Sequence, residues 1–126
     1  MDIKDCIFCQ LPKERIIAEN EHCLAFHDLY PVTDKHTLII PKAHRTDYFE
    51  LTPEELDSVN DLIKQQKEKI LLEDKNVTGF NIGANCGEDA GQTVFHCHIH
   101  LIPRRKGDME NPKGGVRHVI PDKGHY

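Results

Sequence analysis

Three histidines stand at every second position of the stretch HCHIHLIPRR, namely His96, His98 and His100. On a β-strand, alternate side chains point to the same face, so the three imidazoles would share one face and Cys97 and Ile99 the other. Same-face neighbours lie about 6.6 Å apart, so the rings could converge on a metal ion or do three separate jobs. Because a neutral imidazole is also nucleophilic, the run predicts a metal site, a catalytic surface or a solvated strand face.

A second group with chemical potential is the pair Cys6 and Cys9 in the stretch CIFC. A Cys-x-x-Cys pair can exchange disulfides or ligate zinc as two thiolates. The redox interpretation requires a βαβ setting with a helix starting at the first cysteine, and only five residues precede Cys6. Zinc is therefore the better interpretation, and two reduced, buried cysteines are the alternative.

Composition limits the class of protein. The chain has 126 residues and 38% hydrophobic content, enough for one core, so we expect a single domain over residues 1–126 with residues 107–126 as a C-terminal tail. The formal net charge of −5 argues against a nucleic-acid partner. A locally basic region after the histidines would suit a small anion; it comprises Arg104, Arg105, Lys106, Lys113 and Arg117.

The sequence also predicts a location. No apolar run approaches the roughly 18 to 20 residues that a membrane span needs, and the start MDIKDCIFCQ lacks the basic and apolar regions of a signal peptide. Five cysteines, an odd number, suit reduced thiols or metal ligands better than a disulfide framework. We therefore expect a cytoplasmic protein without a membrane partner.

Short strands must position most of these residues. The apolar runs in RIIAEN and CLAFHDL, separated by the polar ENEH, predict a hairpin. The stretch HTLIIPK predicts a third strand that ends at Pro41, since proline cannot donate to a strand ladder. The stretch TGFNIGAN alternates as a strand does, and the glycine-containing link CGEDAGQ leads from it to the histidine run.

One long amphipathic helix is predicted over LTPEELDSVNDLIKQQKEKILLE. Thr52 and Glu55 form a capping box, and Pro53 takes the first helical position. The apolar residues that follow fall near one face; they are Leu56, Val59, Ile63 and Ile70. We expect an α+β fold, with a mainly antiparallel sheet of about five strands and this helix on one face.

The flanks of the histidine run resemble a known family. GQTVFHCHIHLIPR matches the pattern His-φ-His-φ-His-φ-φ, where φ is hydrophobic, of the histidine triad (HIT) superfamily, and AFHDLYPVTDKHTLIIPKAH resembles its upstream block. The resemblance runs from DCIFC to IPRR and is greatest to the small nucleoside phosphoramidases and dinucleoside polyphosphate hydrolases. Galactose-1-phosphate uridylyltransferases are longer and have proline where this chain has Cys97. Aprataxin-like repair enzymes carry nucleic-acid modules that this sequence does not show.

This resemblance implies cleavage at the α-phosphate of an adenosine-type nucleotide, such as a phosphoramidate, a dinucleoside polyphosphate or another adenylate. Carried over by position, His98 is the nucleophile that forms a covalent nucleotidyl-histidine, and water then releases a nucleoside monophosphate. His100 contacts the phosphate or helps to protonate the leaving group. The alternatives are a structural role for His98 and a purely hydrogen-bonding role for His100.

The resemblance also implies a set of substrate-binding residues. His27 and Asp28 match the nucleoside-binding stretch, where the carboxylate accepts hydrogen bonds from the ribose; the alternative is a turn. Apolar residues such as Ile7, Phe8 and Phe26 would form the base pocket or simply core. The link before the histidines supplies donors to the phosphoryl oxygens, or only a turn; the residues carried over are Asn85, Gly91, Gln92 and Thr93.

Metal-bearing members of the family complete a tetrahedral zinc site, so the resemblance implies a structural zinc on Cys6, Cys9, His44 and His96. It also implies a homodimer in which two sheets join, and the tail could then reach the pocket of the neighbouring subunit. His36 matches a recurrent family histidine, to which we assign only packing or hydrogen bonding.

Two function classes remain open from the sequence. The first is a nucleotide hydrolase; the second is a nucleotide-binding regulatory or interaction protein with vestigial hydrolysis. The intact histidines and phosphate-pocket residues favour the enzyme, and a pure metal-binding protein would leave no nucleophile. Asn85 stands where the hydrolase branch prefers a longer amide, which favours the phosphoramidase-like branch.

Overall fold

The computed structural model describes residues 3–126, so residues 1 and 2 of the predicted domain lie outside the described part. Five strands form one antiparallel sheet in the order β1-β2-β3-β5-β4 within the described chain. The strands are β1 Ile16–Glu19, β2 Cys23–His27, β3 Thr37–Pro41, β4 Val77–Gly83 and β5 Ile99–Arg105. The helix α1 spans Pro53–Glu73. The predicted α+β fold, its hairpin and the strand ending at Pro41 are confirmed.

The start of α1 follows the predicted capping chemistry. The Thr52 hydroxyl accepts a hydrogen bond from the Glu55 amide at 3.1 Å, and the Glu55 carboxylate accepts one from the Thr52 amide at 2.8 Å. Pro53 occupies the first turn, where its missing N–H would have no helical partner. Glu55 also pairs with Arg45 at 3.0 Å, which ties the helix start to the segment after β3.

The main hydrophobic core lies between α1 and one face of the sheet. On the helix, Leu62 and Gln66 are buried at the centre of this face, whereas the predicted Ile63 is only partly buried. The sheet side of this core is formed by buried residues of β2, β3 and β5, which include Cys23, Ala25, Ile39, Ile99 and Leu101.

The opposite face of the sheet carries a smaller apolar cluster beneath the N-terminal segment. Phe8 packs edge-on against Phe26, with ring centroids 5.4 Å apart. Cys6, Leu38 and Ile40 complete the buried cluster. The residues around CIFC therefore cover the sheet face that the helix leaves open, and the functional site forms there.

The histidine run is less regular than predicted. β5 begins only at Ile99, so His96 and His98 lie in the irregular segment that leads into the strand, and only His100 is a strand residue. The Cys97 amide donates to the Arg45 carbonyl at 2.6 Å, outside the sheet ladder. The prediction that all three imidazoles lie on one strand is therefore wrong.

The C-terminal tail turns back along β4. Its 3-10 helix, Gly115–Val119, contacts that strand, and Gly115 lies so close to Asn81 that a Cβ would meet the amide nitrogen at 3.3 Å. The rings of His118 and His125 stand 4.4 Å apart within the tail. No helix among residues 3–126 is both long and apolar enough to cross a membrane.

Candidate active site

A cavity of about 540 Å³ opens on the sheet face opposite α1. His98 and His100 line it from the end of the histidine run, and Phe26 and Asp28 line it from the end of β2. Its apolar wall comes from the N-terminal segment and β3, with Ile7, Phe8, Leu11 and Leu38 among its members. A mostly apolar cavity with a few convergent polar groups is the usual form of a small-molecule site.

His98 has one ring nitrogen committed to the backbone. Its Nδ1 lies 2.9 Å from the His96 carbonyl oxygen, which can only accept, so Nδ1 carries the proton. In the neutral ring, the Nε2 atom therefore keeps its lone pair, and this ring lines the cavity. The Phe8 ring packs edge-on at 5.2 Å between centroids and restricts the imidazole further. This arrangement provides an oriented nucleophile.

His100 is oriented by His36, a residue to which the sequence assigned only packing or hydrogen bonding. The Val32 amide donates to Nδ1 of His36 at 3.2 Å, so the proton of a neutral His36 ring sits on Nε2. That Nε2 lies 2.9 Å from Nδ1 of His100 and donates to it. His100 consequently carries its own proton on Nε2.

Both rings of this pair are neutral near pH 7. Burial, followed by the neighbouring rings of His98 and His36, lowers the pKa of His100 to about 4. Burial also lowers the pKa of His36, and the nearby Asp28 carboxylate, 3.5 Å away, opposes that shift. A neutral His100 can offer an N–H donor to a phosphoryl oxygen but is a weak proton donor for full transfer.

The four predicted metal ligands come together in one cluster, and the ring of Phe8 packs against both His96 of this cluster and His98. Ligand atoms of Cys6, Cys9, His44 and His96 all lie within 4.8 Å of one another. Nδ1 of His96 is 3.4 Å from each sulfur, and Nδ1 of His44 is 3.1 Å from that of Cys9. A tetrahedral zinc with usual bond lengths places sulfur and nitrogen roughly 3.5 Å apart, so the donor set fits this ion.

Two further features fit a cation at this cluster. Nε2 of His96 donates to the Pro41 carbonyl at 2.9 Å, which leaves the Nδ1 lone pair directed at the sulfurs, as a metal-binding histidine requires. Burial, together with Cys6, raises the pKa of the Cys9 thiol to about 11. A thiolate at Cys9 therefore needs a neighbouring positive charge, which a bound zinc ion would supply.

The link before β5 contributes three of its four predicted substrate residues to the cavity. Asn85, Gly91 and Thr93 line it, and Gly91 has the positive φ of 91° that glycine adopts without strain. Gln92 is outside the lining and 2% exposed. Its side chain accepts from the Gly87 amide at 2.8 Å and donates to the Thr46 carbonyl at 2.7 Å, so Gln92 holds the link in shape.

His27 lies apart from the other predicted substrate residues. Side chains alternate along β2, so Phe26 and Asp28 face the cavity while the exposed His27 faces the other side of the sheet. The cavity brings in Arg15, which the sequence reasoning missed. It ends a 3-10 helix, Lys13–Arg15, and an isolated arginine before a strand carries no sequence signal of such a role.

The predicted basic patch does not form an anion site at the cavity. Arg104 pairs with Asp108 at 2.8 Å, and Arg105 pairs with Asp74 at 2.8 Å. Within residues 3–126, Arg15 is the one arginine or lysine of the cavity lining. Arg104 and Arg105 thus serve ion pairs, and none of the five predicted basic residues lines the cavity.

Comparisons with known proteins agree with this geometry. The HIT domain family model matches residues 11–107. An uncharacterized HIT-like protein of Mycoplasma genitalium is 44% identical over 103 residues, covering 79% of this chain and 72% of that protein. A zinc-bound histidine triad family protein from Mycobacterium smegmatis superposes with a TM-score of 0.77 and 33% identity, covering 87% and 82% of the two chains.

A HIT family hydrolase from Clostridium thermocellum superposes with a TM-score of 0.66 and 32% identity, covering 84% of this chain and 96% of that one. Most of the chain is matched in each comparison, and the range matched by the family model includes the histidine run. The chain therefore belongs to the histidine triad (HIT) family.

Proposed function

We propose that the chain is a nucleotide hydrolase or nucleotidyl transferase that cleaves at the α-phosphate of an adenosine-type nucleotide. The observation that supports this most is the tautomer of His98. Its Nδ1 proton is held by the His96 carbonyl at 2.9 Å, which leaves Nε2 as the free, nucleophilic nitrogen of a ring that lines the cavity. The Clostridium thermocellum relative is described as a hydrolase.

The proposed reaction has two steps. In the first, Nε2 of His98 attacks the α-phosphorus, and the leaving group departs with the bonding electron pair and takes a proton from solvent. In the second, water attacks the same phosphorus and releases its proton, the P–N bond breaks with its electron pair returning to Nε2, and a nucleoside monophosphate leaves. The N–H of His100 donates to a phosphoryl oxygen and stabilises the negative charge that grows there.

The cavity suggests how such a nucleotide would lie. The carboxylate of Asp28 would accept hydrogen bonds from the ribose, and the apolar wall around Phe8 and Phe26 would take a purine base. Asn85 and Thr93 line the side next to the histidines and would donate to the phosphate. We also retain His27 and Gln92 as proposed substrate residues, although neither lines the cavity. Each would act indirectly, His27 through strand β2 and Gln92 through the link before β5.

We also propose that the cluster of Cys6, Cys9, His44 and His96 holds a structural zinc. Its spacing supports this, and the Mycobacterium smegmatis relative is zinc-bound. The ion would stabilise the turn between the two cysteines, whose Ile7 and Phe8 form part of the cavity wall. Free thiols at both ligand cysteines support the further proposal of a cytoplasmic location.

A homodimer is the assembly that we propose. Strand β4 is an edge of the sheet, and the side chain of Ile82 at its end is 51% exposed. Beside it runs an apolar groove of about 280 Å³ that includes Tyr48, Leu56, Ile63 and Ile99. An edge strand presents unpaired backbone groups, and the groove beside it exposes apolar side chains. A second copy of the chain could cover both. Light scattering on the wild type and on Ile82→Lys tests this, since a monomeric wild type contradicts it.

We further propose that residues 1–126 act as one domain whose tail, residues 107–126, reaches the pocket of the neighbouring subunit. The folding of the tail along β4, the same edge strand, supports this placement. Removal of the tail should change the preference between adenylate substrates. An unchanged preference contradicts the tail proposal and leaves the enzyme proposal intact.

The enzyme proposal is tested by release of adenosine monophosphate from adenosine 5′-phosphoramidate. Wild type should turn over, and His98→Ala, folded to the same extent by circular dichroism, should not. Rapid quenching followed by mass spectrometry should show one adenylyl group on the wild type. Tight nucleotide binding without turnover would instead favour the interaction protein with vestigial hydrolysis.

A further inference from the structure

Arg105, the last residue of β5, binds two other parts of the fold and does not line the cavity. Its Nη2 and Nε donate to Asp74 Oδ2 at 2.8 and 3.2 Å. Its Nη1 donates to the Thr33 hydroxyl at 2.8 Å, and Nη2 also donates to the Asp34 carbonyl at 3.2 Å. One guanidinium therefore joins the end of β5, the end of α1 and the loop of residues 29–35.

This loop carries the hydrogen bonds that orient His36, which in turn donates to His100. It is closed by a bond from the Asp28 amide to the His36 carbonyl at 3.0 Å. Inside it, the His36 amide donates to the Thr33 carbonyl at 3.2 Å, and the Val32 amide donates to Nδ1 of His36 at 3.2 Å. Thr33, whose hydroxyl accepts from Arg105, thus contacts His36 through its carbonyl and directly follows Val32 in the chain.

We propose that Arg105 is a positioning residue that, by holding the loop of residues 29–35, sets the tautomers of His36 and His100. The path is continuous: the guanidinium fixes Thr33, the loop then presents the Val32 amide to His36, and His36 donates to His100 at 2.9 Å. The catalytic consequence rests on the proposed function, whereas the tautomers themselves do not.

The chemistry of the side chain explains why an arginine is required. Four contacts from three nitrogens of one planar group fix both the distance and the angle of the loop, which a single ammonium cannot do. Arg105 and Asp74 are each less than one-fifth exposed, so water competes little with the pair. A further contact of the loop, the ion pair of Lys35 with Glu73 at 3.1 Å, is a single contact and is more exposed to water.

Without the guanidinium, the Thr33 hydroxyl and the Asp34 carbonyl lose their shared partner and the loop can drift. Once the Val32 amide leaves Nδ1, His36 is free to move its proton to that nitrogen. It then no longer donates to His100, whose own proton can in turn move from Nε2 to Nδ1 and be donated to Nε2 of His36. The cavity would keep its nucleophile but lose its oriented N–H donor.

The test uses the full chain with two single variants. Arg105→Lys removes the planar guanidinium, and Thr33→Val removes the hydroxyl to which it donates. Arg104→Lys is the matched control, because Arg104 sits at the same strand end but binds Asp108 and Asn81 and does not contact the loop. Nitrogen-15 spectra of the imidazoles report the tautomers, and phosphoramidate turnover reports kcat and KM.

In wild type, His36 and His100 should each show one protonated and one bare ring nitrogen. In Arg105→Lys and Thr33→Val these resonances should move towards averaged values, and kcat should fall by about tenfold with KM less affected, as expected for misplaced groups. The double variant should be no worse than the stronger single one, because both break the same link. Arg104→Lys should resemble wild type.

Unchanged imidazole spectra in Arg105→Lys and Thr33→Val would overturn the proposal, as would an equal change in Arg104→Lys. If Arg105→Lys fails to fold, Thr33→Val alone decides by the same spectra. A wild type without turnover would count against the proposed function only, because the spectra still decide whether Arg105 positions the two rings.

Discussion

The main-chain oxygen of His96 accepts the Nδ1 proton of His98 at 2.9 Å, while the ring of His96 faces Cys6 and Cys9. A single residue thereby joins the metal-ligand cluster to the proposed nucleophile. The Phe8 ring adds a second link. Phe8 lies between the two cysteines in the sequence, and its ring packs against the imidazoles of both His96 and His98. A disturbance of the cluster should therefore reach the cavity.

Removal of the metal should lower both stability and nucleotide affinity. Free zinc at about a thousand times its Kd stabilises a protein by about 4 kcal/mol, so a chelator should lower the melting temperature by several degrees or more. Affinity for adenosine monophosphate should fall as well, because the turn that carries Ile7 and Phe8 loses its anchor. Calorimetry and a nucleotide titration measure the two effects.

The control for this experiment is Cys86→Ser, since Cys86 is a free cysteine outside the four-ligand cluster. Its response to the chelator should equal that of the wild type, whereas Cys9→Ser should show no response. A melting temperature that ignores the chelator in zinc-loaded wild type would contradict a structural zinc.

Acid should destabilise the fold partly through His100. Because burial and the neighbouring rings lower its pKa to about 4, the unfolded chain, with an imidazole pKa of about 6.5, binds more protons between these values. Stability should fall as the pH drops through this window, by up to about 3 kcal/mol for this group. Urea unfolding at pH 7 and pH 5 should show a smaller loss in His100→Gln; equal losses would contradict this account.

Substitution of Gln92 should affect the stability of the fold more directly than catalysis. Its buried amide satisfies the Gly87 amide and the Thr46 and Val94 carbonyls, so truncation leaves these groups without their partner. Gln92→Ala should lower the free energy of unfolding by about 2 kcal/mol. Gln65→Ala, on the exposed side of α1, should change it little. Chemical denaturation distinguishes the two, and equal effects would remove the special role of Gln92.

Asp28 should discriminate between sugars. A hydrogen bond to a charged group contributes about 1.5 to 3 kcal/mol, so Asp28→Asn should lower kcat/KM for a ribose substrate by about tenfold or more. For the 2′,3′-dideoxy analogue, which offers no hydroxyls, the same change should have little effect. Asp57→Asn, on the exposed face of α1, serves as the control. Equal losses on both substrates would show that Asp28 acts through His36 instead.

Local sequence signals predicted the elements well. The capping box of Thr52 and Glu55, the proline at position 53 and the alternation of the strands each depend on neighbours within a few residues, so they are legible without the fold. The histidine run was the exception. Its alternation matched a strand, but the amide of Cys97 binds the Arg45 carbonyl from a distant segment, and β5 starts later.

The residues of the cavity were partly predictable. The resemblance to the family pointed to His98, His100 and Asp28, all of which line the cavity. It could not show that His27 faces the opposite side of the sheet, because that depends on which face of β2 the helix covers. Nor could it identify Arg15, whose place in the cavity depends on how the N-terminal segment folds over the sheet.

The amino-acid sequence alone determined the strands, the helix and the set of groups able to do chemistry, since these follow from periodicity, caps and side-chain types. Only the tertiary structure decided what each imidazole does. His96, His98 and His100 share one motif, yet their free nitrogens are set by the Pro41 carbonyl, the His96 carbonyl and His36. A ring's tautomer depends on the partner of its other nitrogen, and folding brings two of those partners from more than fifty residues away in the chain.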